Sequence, residues 1–173
     1  VLDRANGTKP AFYTKNGLTA FVRGTNKPNP PTYAFRFFEF NGALSNGTAD
    51  FSLTAHSAGT KIGVFQHTDT SQAEPQGIGS GNSSPTATLG LDNKIAVRYE
   101  TDNLRVNANG VEGPLVNSSY NNGIDTRSST RVCIGANGGT SGVGTSRILN
   151  GTIKRLTFWK TPLSDNKLDK LTS

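Results

Sequence analysis

The chain has 173 residues, with 18 Lys and Arg against 12 Asp and Glu, which gives a net charge of +6. This length fits one domain spanning residues 1–173. The basic residues are spread along the sequence without a recognised nucleic-acid-binding module, and no apolar run reaches the ~18 residues of a membrane span. We therefore expect neither nucleic-acid binding nor membrane insertion.

Glycine and turn-forming residues are abundant, with 20 Gly and 8 Pro and a single segment of helical pattern. This composition predicts an all-β fold of short strands joined by turns. Segments that alternate apolar and polar residues between turn residues are the predicted strands: 11–13, 19–23, 33–40, 51–55, 62–66, 86–89, 94–100, 104–107, 131–135 and 151–159. This number of strands is typical of a two-sheet β-sandwich.

The segment 33–40 has aromatic residues in both phases of the strand repeat. Phe35 and Phe37 share one phase, whereas Phe38 and Phe40 share the other. A strand buried on both faces would explain this pattern, and so would a β-bulge. Either alternative places the segment in the core.

A hairpin is the clearest local prediction. Apolar and other side chains alternate along residues 94–100, which predicts a strand. Residues 101–103 are predicted to form a turn, and residues 104–107 to form the second strand of the hairpin. Asn109 and Gly110 then predict a second turn.

The last strand, 151–159, has apolar residues on both faces. Ile153 is predicted to share a face with Trp159, and the strand is predicted to be a mostly buried core strand. Pro162 ends it, and Ser164 is a suitable N-cap for one short helix that places Leu168 and Leu171 on one face.

Polar stretches at 24–32, 68–85, 114–129 and 136–146 are predicted loops, and long loops on a rigid sandwich commonly carry binding residues. Residues 1–10 are a candidate extended arm. The sequence contains no Met, so we expect the chain to be processed, trimmed or part of a longer polypeptide.

Several of these segments resemble one known family. The hairpin 94–110 (KIAVRYETDNLRVNANG), the strand 131–135 (RVCIG), the run 149–159 (LNGTIKRLTFW) and 163–168 (LSDNKL) are similar to the concanavalin A-like, laminin-G-like jelly-roll domains at the C-termini of bacteriophage tail-fibre and other virion surface proteins. The similarity extends over roughly the last 80 residues. The resemblance implies two antiparallel sheets and a location on the virion surface. Domains of this family bind glycans there or decorate the particle. The matching residues build strands and turns, so no ligand site is carried over.

Enzyme activity is not predicted. Glycanases of concanavalin-like fold align acidic residues on one strand in a Glu-x-Asp-x-(x)-Glu pattern. Here Glu100 and Asp102 begin such a pattern, but a third carboxylate is missing and both residues flank the hairpin turn. His56 and His67 lie on or beside separate strands without metal-ligand or triad spacing.

Cofactors and metals are likewise not predicted. The single Cys133 has no partner thiol in the chain and is interpreted as a small buried hydrophobic residue. Laminin-G-like domains often hold calcium at one rim, and Asp69, Asp92 and Asp125 lie in or next to loops, but nothing in the sequence fixes them together.

Two functions remain open. The first is non-catalytic binding of a host surface polysaccharide, with planar polar groups pairing with sugar hydroxyls and an aromatic ring stacking on the sugar. The predicted glycan-binding residues lie in one loop: Tyr120, Asn121, Asn122, Asp125 and Arg127. The alternative for this loop is a polar segment that binds no ligand.

The second function is a structural virion subunit that contacts other virion proteins through the segments 1–10 and 24–32, since extended arms can lie across a partner. For both functions we expect a homo-oligomer on the virion surface. A concave cluster of Tyr120, Asn122 and Arg127 would favour glycan binding, whereas burial of the N-terminal arm against another chain would favour assembly.

Overall fold

A computed structural model describes residues 5–6, 17–27, 35–42, 49–56, 61–66, 85–100, 103–113, 129–135, 138–139, 142–143 and 148–173. The strands and the helix, in chain order, are β1 (Ala5–Asn6), β2 (Leu18–Asn26), β3 (Phe35–Gly42), β4 (Ala49–His56), β5 (Lys61–Gln66), β6 (Asp92–Glu100), β7 (Asn103–Ala108), β8 (Val111–Glu112), β9 (Ser129–Ile134), β10 (Gly138–Gly139), β11 (Gly142–Val143), β12 (Gly151–Trp159) and α1 (Asp165–Thr172).

Two five-stranded antiparallel sheets carry the architecture. The first sheet has the strand order β1-β9-β3-β4-β5, and the second has the order β12-β2-β6-β7-β8. The strands β10 and β11 form a separate two-stranded sheet within the predicted loop 136–146. The prediction of an all-β two-sheet sandwich with one short C-terminal helix is confirmed.

The core lies between the two sheets and is dominated by aromatic and branched side chains. The Phe38 ring on β3 makes edge-to-face contacts with the Phe40 ring, at a centroid distance of 5.7 Å, and with the Phe158 ring on β12, at 5.2 Å. Phe38 and Phe158 belong to different sheets, so this aromatic contact crosses the interior of the sandwich.

A β-bulge explains the two aromatic phases of β3. The pairing of β3 with β4 shifts register between Arg36 and Phe38, which leaves Phe37 as the extra residue. Phe37, Phe38 and Phe40 are all buried in the same core cluster. Of the two alternatives that the sequence left open, the bulge is the one observed.

The prediction that the last strand is a mostly buried core strand is wrong. β12 is an edge strand, hydrogen-bonded to β2 alone within the described sheet, and none of its residues is fully buried. A register shift between Ile153 and Arg155 moves Ile153 onto the core face with Phe158, and not onto the face of Trp159 as the strict alternation predicted. The bulge reverses the side-chain phase because two residues here occupy the place of one.

The predicted hairpin is confirmed as the pair β6 and β7, with Glu100 opposite Asn103. The second turn is also present, because Asn109 and Gly110 have φ values of 53° and 76° and β7 pairs with β8 across them. Positive φ at both central residues is the geometry of a type I′ turn.

Two other strand predictions have different outcomes. The segment 86–89 is a single bridge residue followed by a turn, and not a strand. The side chain of Asn93 bonds the backbone N–H and carbonyl of Thr88, so local hydrogen bonds replace a ladder there. The predicted strand 11–13 lies outside the described residues.

The helix α1 begins where the sequence predicted. The Ser164 carbonyl accepts hydrogen bonds from the backbone N–H groups of Lys167 and Leu168, at 2.9 and 3.1 Å, although the Ser164 side chain makes no capping bond. Among the described residues, no helix has the length and apolar character needed to cross a membrane.

Candidate functional site

The helix α1 lies on the outer face of the second sheet. Leu168 is fully buried there against Phe21 on β2 and Ala96 on β6, which stand opposite each other in the sheet. The small Ala96 side chain leaves room for the helix to approach the strands. A second apolar cluster, separate from the sandwich core, therefore holds the helix in place.

One flank of α1 is held by charged and amide groups. Asp165 forms ion pairs with Arg98 and Arg105, whose side chains are largely buried. The Asn107 amide donates to the Asp169 carboxylate at 2.7 Å. Both acidic side chains of the helix are therefore paired on the flank that faces β7.

The opposite flank of α1 borders a cleft of about 360 Å³, which we call the α1 groove. Its lining combines one aromatic ring, two leucines and two lysines: Trp159, Leu163, Lys167, Lys170 and Leu171. Residues three and four apart share one face of a helix, so Lys167, Lys170 and Leu171 project together towards the groove. Trp159 is half-buried beside them, at the end of β12.

The segment between β12 and α1 is fixed by a threonine of the sheet. The Thr19 hydroxyl donates to the Thr161 carbonyl at 3.3 Å and accepts from the Leu163 backbone N–H at 2.8 Å. Thr19 also lies directly opposite Trp159 in the pairing of β2 with β12. Two residues that line the α1 groove, Trp159 and Leu163, are therefore both positioned by the buried Thr19.

The α1 groove can bind a ligand that has both an apolar face and polar or anionic groups. The flat face of an indole ring packs against apolar surfaces, and lysine ammonium groups donate hydrogen bonds to hydroxyl and carboxylate oxygens. Lys167 and Lys170 are exposed, and within the described part of the chain neither forms an ion pair. Their charges are therefore available to a ligand.

A second, more polar hollow of about 350 Å³ includes Asp92, Asn109 and the exposed Leu91. Hydrogen bonds from Arg23 and Lys154 hold the pKa of Asp92 below its ordinary value. The Asp92 carboxylate is therefore ionised and already bound by two cations, which makes it a poor first choice for a ligand contact.

The buried Asn93 organises this hollow. Its amide nitrogen donates to the Asn26 side-chain oxygen at 2.9 Å, and its amide oxygen accepts from the Asn109 side chain at 2.9 Å and from the Thr88 backbone N–H at 2.7 Å. Buried amides that are fully bonded stabilise a unique arrangement of the groups around them.

We expect Asn93→Ala to lower the free energy of unfolding by about 2–3 kcal/mol, because partners that stay buried lose their hydrogen bonds. Urea unfolding followed by circular dichroism measures the change, and Asn166→Ala, at an exposed helix position, is the matched control. A change at Asn93 no larger than that at Asn166 would contradict this role.

The predicted glycan-binding residues Tyr120, Asn121, Asn122, Asp125 and Arg127 lie outside the described residues, so that site stays a prediction. Asp69, Asp102 and the residue His67 lie outside them as well.

Two other residues considered in the sequence, Glu100 and Cys133, contribute to the fold. Glu100 accepts a hydrogen bond from the Asn103 amide at 3.2 Å across the hairpin turn, in agreement with the turn interpretation. Cys133 is buried on β9, as predicted. Among the described residues, no three or more His, Cys, Asp or Glu side chains are grouped as metal ligands.

The α1 groove was not predicted from the sequence. The prediction placed Trp159 on a mostly buried core strand and described the helix only as one short C-terminal element. The available signals were the single Trp in the chain and the spacing of Lys167 and Lys170 on one helix face. These signals indicate a site only when the helix is known to pack on the outer face of the sheet that contains β12.

Solved structures with a similar fold include domains with carbohydrate ligands. The CBM40 carbohydrate-binding module of the Ruminococcus gnavus IT-sialidase, bound to α2,3-sialyllactose, superposes with a TM-score of 0.74 at 14% identity, covering 91% of this chain and 83% of that chain. The leech intramolecular trans-sialidase complexed with 2,7-anhydro-Neu5Ac gives 0.76 at 16% identity, covering 99% of this chain and 26% of that chain.

The native heptameric SAP-like pentraxin from Limulus polyphemus gives a TM-score of 0.61 at 20% identity, covering 91% of this chain and 70% of that chain. At such identities the similarity establishes the jelly-roll fold alone. No protein-family model and no curated protein sequence matches this chain.

Proposed function

We propose that this domain binds glycans without catalysing a reaction, and that the α1 groove is a binding site. The observation that carries the proposal is the half-buried Trp159 ring in a cleft bordered by Lys167 and Lys170. Sugars present apolar ring faces between hydroxyl groups, and an aromatic ring with nearby donors matches both features. The shared fold with a module bound to sialyllactose adds support.

A non-catalytic role agrees with the chemistry of the groove. Glycoside hydrolysis ordinarily uses a pair of carboxylates on either side of the scissile bond. Among the described residues, none that lines the α1 groove is acidic, and Asp165 and Asp169 face the other flank of the helix. The described lining therefore offers contacts for binding.

We further propose that the glycan is a host cell-surface polysaccharide and that the domain acts on a virion surface as part of a homo-oligomer. This step rests on the sequence resemblance of the last strands and the helix. The alternative, a subunit that contacts other virion proteins through the segments 1–10 and 24–32, has less support. Within the described residues, Ala5 and Asn6 of the first segment pair with Val132 and Arg131 of the same chain.

The test is a polysaccharide array probed with the wild-type chain and Trp159→Ala. Because removal of the ring costs on the order of 1.4 kcal/mol, we expect affinity for a bound glycan to fall about tenfold. Trp159→Phe keeps an aromatic face and should retain most of the affinity. Leu91→Ala removes an exposed apolar side chain elsewhere and should have no effect.

Tyr120→Ala and Arg127→Ala are probed on the same array. Binding that survives Trp159→Ala but is lost in these two variants would move the site to the predicted loop. Absence of binding to every glycan would contradict the proposed function and favour the structural virion subunit.

A further inference from the structure

The fold gathers basic side chains that are dispersed in the sequence. Lys167 and Lys170 project from the free flank of α1, and Arg155 lies on the outer face of β12. The acidic residues of the helix are bound to Arg98, Arg105 and Asn107 on the opposite flank. Positive charge is therefore concentrated on the side of the helix that carries the α1 groove.

The positive surface continues along β12. Every second residue of this strand lies on its outer face, namely Arg155, Thr157 and Trp159. From the first to the last of them the strand extends about 13 Å, at roughly 3.3 Å per residue. The Arg155 guanidinium lies 5.7 Å from the centre of the Phe21 ring, and its Nε donates to the Thr157 hydroxyl at 3.1 Å. These contacts orient Arg155 along the sheet surface and leave the remaining guanidinium donors for a ligand.

The negative charge near this surface is already neutralised. Arg23 stands opposite Arg155 in the sheet, and both Arg23 and Lys154 bind Asp92, at 2.8 and 3.0 Å. One carboxylate between two cations leaves a net positive charge at this end of the strand. Exposed charges of one sign raise the local concentration of oppositely charged ligands.

We propose that the α1 groove and the outer face of β12 together bind an acidic polysaccharide chain, an inference that rests on the proposed glycan-binding function. A sugar ring packs against Trp159, while carboxylate or sulfate groups along the chain contact Lys167, Lys170 and Arg155. Both kinds of anionic group accept hydrogen bonds from ammonium and guanidinium groups. A linear polymer can occupy the whole track, whereas one terminal sugar fills only the groove.

The experiment measures binding of fluorescently labelled polymers to the full chain. The probes are a polyuronate, the same polymer after reduction of its carboxyl groups to neutral alcohols, dextran sulfate, and dextran. We expect the polyuronate or the dextran sulfate to bind at least tenfold more tightly than its neutral counterpart at low salt, with a difference that shrinks as salt screens the charges. The two acidic probes distinguish carboxylate from sulfate recognition.

The variant Lys167→Gln/Lys170→Gln should lose about tenfold in affinity for the acidic polymer and keep its affinity for any neutral polymer that binds. The control Lys27→Gln/Lys61→Gln removes the same charge away from this surface, because Lys27 follows the far end of β2 and Lys61 begins β5 in the first sheet, and it should retain the wild-type preference. Circular dichroism confirms that each variant is folded.

Equal losses in the two double variants would overturn the inference, since binding would then follow net charge alone. Equal, Trp159-dependent binding of acidic and neutral polymers would also overturn it, while the proposed glycan-binding function would stand. No binding of any of these four polymers would overturn the inference, and absence of binding on the glycan array as well would contradict the proposed function.

Discussion

Leu168→Ala is expected to lower the free energy of unfolding by about 2–5 kcal/mol, the usual cost of truncating a fully buried leucine. Leu168 is the one apolar side chain of α1 that is completely buried, and it packs against Phe21 and Ala96 on the outer face of the sheet. Its loss leaves a cavity at the contact that holds the helix, so the helix should separate more readily from the strands.

Urea unfolding measures this change, with Leu171→Ala as the matched control. Leu171 is half-buried and borders the α1 groove, so its truncation should cost about 1 kcal/mol or less. Leu168→Ala should also weaken glycan binding, because Trp159 and Leu163 pack against the same cluster. Similar stability of the two variants would show that the helix does not depend on this buried contact.

Phe38→Ala is the second large prediction, with an expected loss of about 3–5 kcal/mol in the free energy of unfolding. The Phe38 ring is fully buried and touches the rings of Phe40 and Phe158, so it connects the two sheets. Phe38→Leu keeps an apolar side chain in the same space and should lose clearly less.

Chemical unfolding of both Phe38 variants, monitored by circular dichroism, gives the comparison. Glycan binding by the folded fraction should be little changed, because Phe38 faces the interior and the α1 groove lies on the outer face of the second sheet. An alanine variant as stable as the leucine variant would contradict the central position of this ring.

Much of the second sheet could be predicted from the sequence. The hairpin of β6 and β7 combines a strict two-residue repeat with turn residues at Thr101 to Asn103, and both signals are local. The bounds of β12 and the start of α1 also agree with the prediction. Pro162 lacks the N–H that a strand ladder needs, and Ser164 directly precedes the helix, although its side chain makes no capping bond.

Other features depend on contacts that are distant in sequence. Whether β12 is an edge or a central strand is decided by which strands pair with it, and apolar residues on both of its faces occur in either case. The second apolar face is explained by α1 and the segment before it, because Trp159 packs against the same cluster as Leu171 of the helix and Leu163 of that segment. The segment 86–89 has a strand-like composition, but the buried Asn93 side chain binds its backbone.

The candidate site was less accessible to sequence reasoning than the fold. Lys167, Lys170 and Arg155 look like ordinary surface residues in the sequence, and they come to one face of the molecule only because α1 packs on the outer face of the sheet that contains β12. Dispersed charge in a sequence therefore does not exclude a charged surface in the fold. The predicted loop site at 120–127 remains a prediction beside the α1 groove.

The central claim is that glycans bind at the α1 groove, and the chain has a built-in reporter for it. Trp159 is the only Trp in the sequence, so the indole N–H resonance and the tryptophan fluorescence each report on this one residue. Titration of the chain with an array-selected glycan, with calorimetry in parallel, should give a saturable change in both signals at the calorimetric dissociation constant. Calorimetric binding that leaves both Trp159 signals unchanged would contradict the assignment of the site to this groove.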